Sequence, residues 1–342
     1  MAIEKFNISS RRYLGNKYKL LNWIKEIVDE NCTQVYSVFD VFSGTGSVAY
    51  AFKDKRLVVS DMMRSNYLAA LCWFSPQEID DNKLEKLLIF YNNYDASNED
   101  NYMSQNFSNT YFDSTTCKKI GFIRDSIEAK LKNGEVNERE YACVITSLFY
   151  AMDRISHTCG HYDSFIRDGK YRGELELKMP NNNYLLNKNN KIYCADSNEI
   201  ADKEEVDIAY LDPPYNSRQY CDAYHLLENI AWWEKPKVYG LAKKMDRTKM
   251  KSAYCKSAQA ANALEDLIAK LRCRYILFSY NNNGKKLQCR SNAKLTDEEI
   301  IHILSKRGDV QVFSMPHRGF DAGKSEMNKD NKERLFLCTV RK

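Results

Sequence analysis

The alternation of apolar and polar positions along the chain predicts an α/β protein. Apolar residues recur at helical spacing over about 17–28, which predicts an amphipathic helix. Runs rich in β-branched and aromatic residues follow at 35–42, which ends at the glycine turn SGTGS, and at 56–61. Another helical pattern surrounds Leu68. Strand, glycine turn, helix and strand in this order open a doubly wound α/β sheet.

Strand patterns disappear between about 76 and 191 and return afterwards. The interrupted region is rich in Asn, Tyr and Ser, and it contains helical patterns at 117–132 and 138–155. The later strand patterns lie at 191–196, 206–212, 275–281, 310–315 and 334–340. Two more helical patterns lie among them, at 263–272 and 297–307. The sum is about seven strands with a long insertion, which in an α/β frame usually forms a small lobe or functional loops.

Composition favours a soluble protein of the cytoplasm. The 342 residues, 44% of them hydrophobic, exclude a wholly disordered chain and fit one elaborated domain or two lobes. No apolar run approaches the roughly 20 residues of a membrane helix, and the first residues lack the apolar core of a signal peptide. Eleven cysteines include no C-x-x-C pair, which favours free thiols over zinc or disulfides. The net charge of +5 permits nucleic-acid binding without arguing for it.

The glycine turn after the first predicted strand is typical of a cofactor site. Gly44 and Gly46 let the backbone turn tightly and approach a ligand closely. With Ala49 the run satisfies the G-x-G-x-x-A dinucleotide pattern, and Asp61 ends the next strand, where an acid that binds a ribose would stand. An NAD-dependent oxidoreductase is therefore one interpretation, and a purely structural turn is another.

Asp40, at the tip of the strand before the turn, favours a different cofactor. A carboxylate at this point would repel a pyrophosphate. S-adenosylmethionine has no phosphates, and it presents an ammonium, a sulfonium and a ribose diol, all of which a carboxylate can bind. Asp40 and Asp61 together therefore favour S-adenosylmethionine, with a turn-forming role for Asp61 as the alternative.

The tetrapeptide Asp212-Pro213-Pro214-Tyr215 carries the second motif. It follows an apolar predicted strand, so we expect it at the carboxyl end of a sheet strand, where open α/β folds place their sites. Two consecutive prolines fix two φ angles and remove two backbone donors, which leaves carbonyls that can only accept. Such a rigid, acceptor-rich loop suits an exocyclic amine. A stiff turn that caps the strand is the alternative.

With these motifs together, the chain resembles the N6-adenine DNA methyltransferases of the Dam-like (D12) class, and within it the branch of the FokI and NlaIII modification enzymes. The matching runs extend from Arg12 to the C-terminus in the family's order. They are YLGNK (13–17), DVFSGTG (40–46), Ser60-Asp61, Asp196, DPPYNSRQY (212–220), YHLLENIAWWEKP (224–236) and SYNNNG (279–284). Asn16 stands where many relatives carry a second glycine.

The resemblance implies a class I S-adenosylmethionine-dependent methyltransferase fold. This is an α/β fold with a seven-stranded, mostly parallel sheet, an antiparallel last strand and an inserted target-recognition lobe. Residues 1–75 and 192–342 would form the catalytic domain, and 76–191 the helical target-recognition region. The implied reaction is site-specific methylation of a flipped adenine in double-stranded DNA within a restriction-modification system. The implied location is a prokaryotic cytoplasm at the nucleoid, without a metal, with a separately encoded restriction endonuclease as a further candidate partner.

The resemblance also implies roles for the catalytic loop. The Asp212 carboxylate and the Pro213 carbonyl would accept the two N6 hydrogens, so that the nitrogen lone pair points at the methyl sulfonium. Tyr215 would stack on the extruded adenine, and Pro214 completes the rigid loop.

The implied cofactor site draws on residues from several motifs. Its members are Tyr13, Lys17, Asp40, Phe42, Ser43, Gly44, Gly46, Asp61, Asp196 and Asp212. Tyr13 and Lys17 could instead be ordinary surface residues, and Phe42 could belong to the core.

Basic residues of the insertion and of later loops are the candidate DNA contacts. The block 155–173 resembles a block of the branch, with His157 where relatives commonly carry Asn. The predicted DNA-binding residues are Arg167, Lys170, Arg172, Arg218 and Arg318. The alternatives are a solvated charged loop for this block and an edge-protecting loop for 316–333. A metal at His157, Cys159 and His161 is disfavoured, because no second cluster completes a tetrahedral set.

Three rival functions stay open from the sequence. One keeps the chemistry but acts on RNA or another amine. The oxidoreductase leaves the Asp-Pro-Pro-Tyr run unexplained. A catalytically silent DNA-binding module is disfavoured, because both the cofactor turn and the acceptor loop are intact.

Overall fold

A seven-stranded sheet forms the centre of the molecule. The computed structural model describes residues 3–11, 13–171, 173–214, 218–281, 295–316 and 332–341. The strands are β1 (Ser37–Asp40), β2 (Arg56–Asp61), β3 (Lys191–Cys194), β4 (Glu205–Leu211), β5 (Arg272–Asn281), β6 (Gly308–Pro316) and β7 (Lys332–Val340). Their order in the sheet is β3-β2-β1-β4-β5-β7-β6. Neighbours among β1 to β5 are parallel, and β7 is antiparallel to both β5 and β6. The predicted class I fold is confirmed.

The sheet is buried on both faces, as its nearly continuous apolar strands require. In β1, the side chains of Val38 and Phe39 point to opposite faces, and neither is exposed. Val38 belongs to one apolar core and Phe39 to the other. The strand order reverses between β1 and β4, which places the carboxyl ends of these two strands side by side. Open α/β sheets bind ligands at such a reversal.

Helices cover both faces. They are α1 (Leu21–Asn31), α2 (Ser47–Ala51), α3 (Arg64–Phe74), α4 (Asp81–Asn93), α5 (Tyr102–Phe107), α6 (Ser114–Lys132), α7 (Glu138–Ile155), α8 (Ser197–Ile200), α9 (Tyr220–Ala223), α10 (His225–Trp232), α11 (Ser257–Lys270) and α12 (Asp297–Ser305). Within the described ranges, no helix combines the length and the apolarity needed to cross a bilayer. The helix predicted over 17–28 begins later, because Tyr18–Leu20 form a 3-10 turn.

The insertion contains two helices beyond the two that the pattern predicted. α6 and α7 correspond to the predicted helices, whereas α4 and α5 lie in the part of the insertion where no helix was predicted. α4 buries only a narrow stripe, and its first turn is capped by the Asp80 carboxylate. α5 begins at a capping box formed by Asn101 and Ser104. α5 has six residues, too few for an apolar period to show, whereas α4 buries Leu84, Leu88 and Tyr91 at helical spacing and was predictable from the sequence.

The insertion shares an apolar core with one face of the sheet. α7 is buried around most of its circumference and packs against α3. A short parallel ladder between Lys5–Phe6 and Met179–Pro180 also joins the start of the chain to the end of the insertion. The domain boundaries at 75/76 and 191/192 stay a prediction, with a continuous core on both sides of them.

Candidate active site

A cleft of about 900 Å³, open to solvent, lies at the carboxyl ends of the parallel strands. Four carboxyl groups follow four adjacent strands of the sheet: Asp196 after β3, Asp61 at the end of β2, Asp40 at the end of β1 and Asp212 directly after β4. All four line the cleft. The topology therefore gathers into one wall residues that are far apart in the chain.

The cleft contains every predicted cofactor residue except one. The lining residues from that prediction are Tyr13, Lys17, Asp40, Phe42, Ser43, Gly44, Asp61, Asp196 and Asp212. From the catalytic loop, Asp212 and Pro214 line the cleft, while Pro213 is buried and is not part of its wall. Tyr215 lies outside the described residues.

Gly46 is the exception, and packing explains why it is a glycine. It has a left-handed backbone with φ of 77° at the start of α2. A Cβ at this position would lie 2.7 Å from Cε2 of the buried Phe74 ring at the end of α3. Gly46 is therefore not part of the cleft wall, and its role in cofactor binding stays a prediction. The position requires glycine because α2 packs closely against α3.

Asp61 organises the glycine turn. Its carboxylate accepts hydrogen bonds from the backbone N–H of Gly44 (2.9 Å) and of Met63 (2.8 Å), and from the side chain of Asn66 (3.1 Å). Burial raises the pKa of Asp61 to about 6, although these donors oppose the rise. Asp61 therefore joins the turn after β1 to the start of α3. These contacts go beyond those of a residue that only forms a turn at the end of its own strand.

Asp40 is a buried carboxyl group beside the same turn. It is 1% exposed, and it accepts one hydrogen bond from the backbone N–H of Ala49 (3.0 Å). Burial raises the pKa of Asp40 to about 7, and the charges of Asp212 and Asp61 add to the rise. A cationic ligand beside a buried carboxyl group stabilises its ionised form. The wall thus suits a cation and disfavours a pyrophosphate.

Lys17 is buried against the catalytic loop. Its ammonium lies 3.1 Å from Oδ1 of Asp212 and 3.0 Å from Oε1 of Glu333. Because Lys17 is only 6% exposed, the interpretation of this residue as an ordinary surface lysine is wrong. Burial raises the pKa of Asp212 to about 6, with Lys17 lowering it and Glu333 raising it.

Glu333, on β7, was missed by the sequence analysis. It also accepts hydrogen bonds from the Ser279 hydroxyl (2.9 Å) and from the Asn281 side chain (3.2 Å). Both donors belong to the SYNNNG run, whose match to the family carried no assigned role. Their polar side chains on an apolar strand were the available signal for a buried acceptor on the neighbouring strand.

Aromatic side chains form another part of the wall. The Tyr13 ring stacks on Tyr224, with ring centres 4.6 Å apart, and its hydroxyl accepts a hydrogen bond from Asn66 (2.9 Å). Phe42 lines the cleft and also contacts the Tyr254 ring edge to face at 5.1 Å, so it serves the cleft and the core together. Tyr254 is one of the lining residues that no sequence motif indicated.

The predicted DNA-binding residues are distributed as follows. Arg167 and Lys170 are exposed on the insertion. Arg218, just after the catalytic loop, contacts Nε2 of His161 at 3.0 Å, which joins that loop to the insertion. Arg172 and Arg318 lie outside the described residues. No group of three or more His, Cys, Asp or Glu side chains in the described part of the chain is placed to hold a metal ion.

Comparison of the sequence with known proteins identifies relatives of this chain. The model of the D12 class N6 adenine-specific DNA methyltransferases matches residues 13–288. The type II methyltransferase M.FokI of Planomicrobium okeanokoites is 31% identical over 95% of this chain and 52% of its own length. The modification methylase StsI of Streptococcus sanguinis is 32% identical over 95% of this chain and 51% of its own length. The type II methyltransferase M.NlaIII of Neisseria lactamica is 27% identical over 94% of this chain and 95% of its own length.

The chain spans about half the length of the first two relatives and nearly the whole length of the third. The family match covers both the glycine turn and the catalytic loop, which meet in the cleft. The chain therefore belongs to the D12 class of N6 adenine-specific DNA methyltransferases.

Proposed function

We propose that this chain transfers a methyl group from S-adenosylmethionine to the N6 amine of an adenine in double-stranded DNA. The observation that carries the proposal is the position of Asp212. Its carboxylate lines the same cleft as Asp40 and Gly44. The group that would accept the N6 hydrogens and the site for a cationic cofactor therefore lie in one cleft. Family membership supplies adenine and DNA as the substrate class.

The fit of S-adenosylmethionine to the cleft rests on charge. The cofactor would carry its ammonium and sulfonium into a wall that contains the buried carboxyl group of Asp40 and the partly buried carboxyl groups of Asp61 and Asp212. The same wall would repel the pyrophosphate of a nicotinamide dinucleotide. Tyr13 and Phe42 offer apolar surface, and Asp196 stands on the adjacent strand end as the candidate partner of the adenine or ribose.

In the proposed mechanism, the chain positions the amine and receives its proton. S-adenosylmethionine, when bound, would supply the electrophilic methyl group. Asp212 would accept a hydrogen bond from N6 and then the proton that N6 loses, which draws the lone pair out of the adenine ring. Lys17, held by Glu333, keeps the Asp212 carboxylate oriented. The Pro213 carbonyl as second acceptor and Tyr215 as stacking partner remain parts of the proposal.

The biological role of the chain is also part of the proposal. Relatives such as M.FokI and M.NlaIII are type II methyltransferases. We therefore propose a modification enzyme of a restriction-modification system, in the prokaryotic cytoplasm and at the nucleoid. A separately encoded endonuclease would share its target site.

The proposal is tested by labelled methyl transfer to three acceptors in parallel: double-stranded DNA, RNA and free adenosine. We expect incorporation into duplex DNA and, after enzymatic digestion, N6-methyl-2′-deoxyadenosine as the labelled nucleoside. Label in RNA alone, or in a base other than adenine, would contradict the proposal. Binding of a nicotinamide dinucleotide in place of S-adenosylmethionine would favour the oxidoreductase.

The rate is expected to rise with pH through an apparent pKa of about 6. Asp212 can accept the N6 hydrogens only when ionised, and its raised pKa means that the ionised fraction grows between pH 5 and pH 7. The measurement is kcat/KM for DNA against pH at saturating S-adenosylmethionine. Glu333→Gln removes a negative charge that raises the pKa of Asp212, so the midpoint should move to lower pH. A profile that is flat from pH 5 to pH 8 would contradict the assignment.

A further inference from the structure

Residues 235–251, here called the basic segment, run from the end of α10 to the rim of the cleft. The basic segment contains six lysines and one arginine, with Asp246 as its single acid. The sequence analysis did not select it, because it lies outside the block that resembles the family's recognition region. Its placement in the fold makes it relevant to DNA binding.

The basic segment is anchored at both ends. The hydroxyl groups of Tyr102 and Tyr111, from the insertion, donate hydrogen bonds to the carbonyls of Pro236 and Ala242, each at 2.7 Å. At the other end, Ser252 and the Gln219 side chain exchange two hydrogen bonds of 2.8 and 3.1 Å. The segment therefore bridges the insertion and the chain that follows the catalytic loop.

The end of the basic segment reaches the cleft itself. Met250, within the segment, and Ser252, the residue that follows it, line the cleft together with Asp212. Their neighbours Lys249 and Lys251 are exposed. These two ammonium groups therefore belong to residues directly beside the cleft wall.

The cations of the basic segment divide into two groups. Three are paired within the protein: Lys235 with Asp125, Lys244 with Asp163 and Arg247 with Asp222. The other four lysines are within ion-pair distance of no carboxylate in the part of the chain that the structure describes. They are Lys237, Lys243, Lys249 and Lys251. Unpaired like charges beside a substrate cleft repel one another, and a polyanion that binds there removes the repulsion.

We propose that Lys249 and Lys251 contact DNA phosphates next to the adenine that enters the cleft. The inference rests on the proposed function and adds a contact surface to it. The paired cations hold the segment in place, and the unpaired lysines provide charge for the DNA backbone. The Lys244–Asp163 pair and the Arg218–His161 contact place this surface next to the insertion, so one DNA duplex can touch both.

The test is the salt dependence of DNA binding. Each phosphate contact contributes about 0.9 to the slope of log affinity against log salt concentration. The double variant Lys249→Ala and Lys251→Ala should therefore have a slope shallower by about 2 than the wild type. We also expect about tenfold weaker binding of a mixed-sequence duplex at 0.1 M salt. The affinity for S-adenosylmethionine should stay unchanged, because neither lysine lines the cleft.

A matched control replaces two exposed lysines outside the insertion, Lys25→Ala on α1 and Lys203→Ala in the turn before β4, and should leave the slope unchanged. If the wild type methylates duplex DNA but the slope of the Lys249 and Lys251 variant equals that of the wild type, the inference is overturned. Equal flattening in the control variant overturns it as well. If the wild type neither binds nor methylates duplex DNA, the proposed function fails first, so the two failures are distinguishable.

Discussion

Replacement of Asp212 by Ala is expected to lower the rate of methyl transfer about 1,000-fold, the effect typical of removing a group that stabilises a transition state. The carboxylate is the acceptor that draws the N6 lone pair toward the methyl group in the proposed mechanism. The fold should persist, because Lys17 keeps its second partner, Glu333, at 3.0 Å. The measurement is single-turnover methyl transfer at saturating S-adenosylmethionine and DNA. Cofactor affinity, from calorimetry, should change by less than about tenfold, since Asp40 and Asp61 remain.

The matched control for this variant is Asp202→Ala. Asp202 is exposed in the turn before β4, the strand that leads to Asp212. Its loss should leave both rate and affinity unchanged. Near-normal transfer by the Asp212 variant, with the control also normal, would remove Asp212 from the mechanism. A loss of cofactor binding as large as the loss of rate would instead make Asp212 a cofactor-binding residue only.

Replacement of Glu228 by Ala is expected to lower the free energy of unfolding by about 3 kcal/mol, as hydrogen bonds to a buried charged group suggest. Glu228, on α10, is fully buried. Its carboxylate accepts hydrogen bonds from the backbone N–H of Ser65 (2.7 Å) and of Arg64 (3.0 Å), the first two residues of α3. Alanine would leave two donors and the positive end of the helix dipole without an acceptor in a buried place. The measurement is equilibrium unfolding in denaturant.

Glu228→Gln separates hydrogen bonding from charge. The amide oxygen can still accept one hydrogen bond, so the loss of stability should be smaller than for Ala. Glu234→Ala, at an exposed position just after α10, is the control and should leave the unfolding midpoint unchanged. An unchanged midpoint for Glu228→Ala would mean that α3 does not depend on this acceptor. Because α3 begins three residues after Asp61, we expect weaker cofactor binding to accompany the loss of stability.

The strands were predictable because each is a local signal. Parallel strands covered on both faces are runs of apolar, β-branched residues, and glycine or proline turns end them. All seven predicted strands correspond to observed ones. In the insertion, α6 and α7 were predicted from their apolar repeats. The six-residue α5 begins at a capping box, which periodicity does not reveal, whereas α4 has Leu84, Leu88 and Tyr91 at helical spacing and was predictable.

The residues of the candidate site also divide into those that the sequence predicted and those that only the structure explains. Asp40, Gly44, Asp61 and Asp212 each sit at the end of a predicted strand, so a sheet of this order was bound to bring them together. Gly46 belongs to the same motif, yet its glycine is required by the Phe74 ring, a contact that depends on how two helices pack.

The amino-acid sequence by itself determined the seven strands, the glycine turn, the acceptor-rich loop and the motifs of the family, because each of these is a run of residues close together in the chain. Only the tertiary structure decided that Lys17 joins Asp212 to Glu333, and that Met250, between two exposed lysines, lines the cleft. The physical reason is that the partners in these arrangements are far apart in the chain. Their distances are set by sheet register and by the packing of the insertion, neither of which a local pattern of residues encodes.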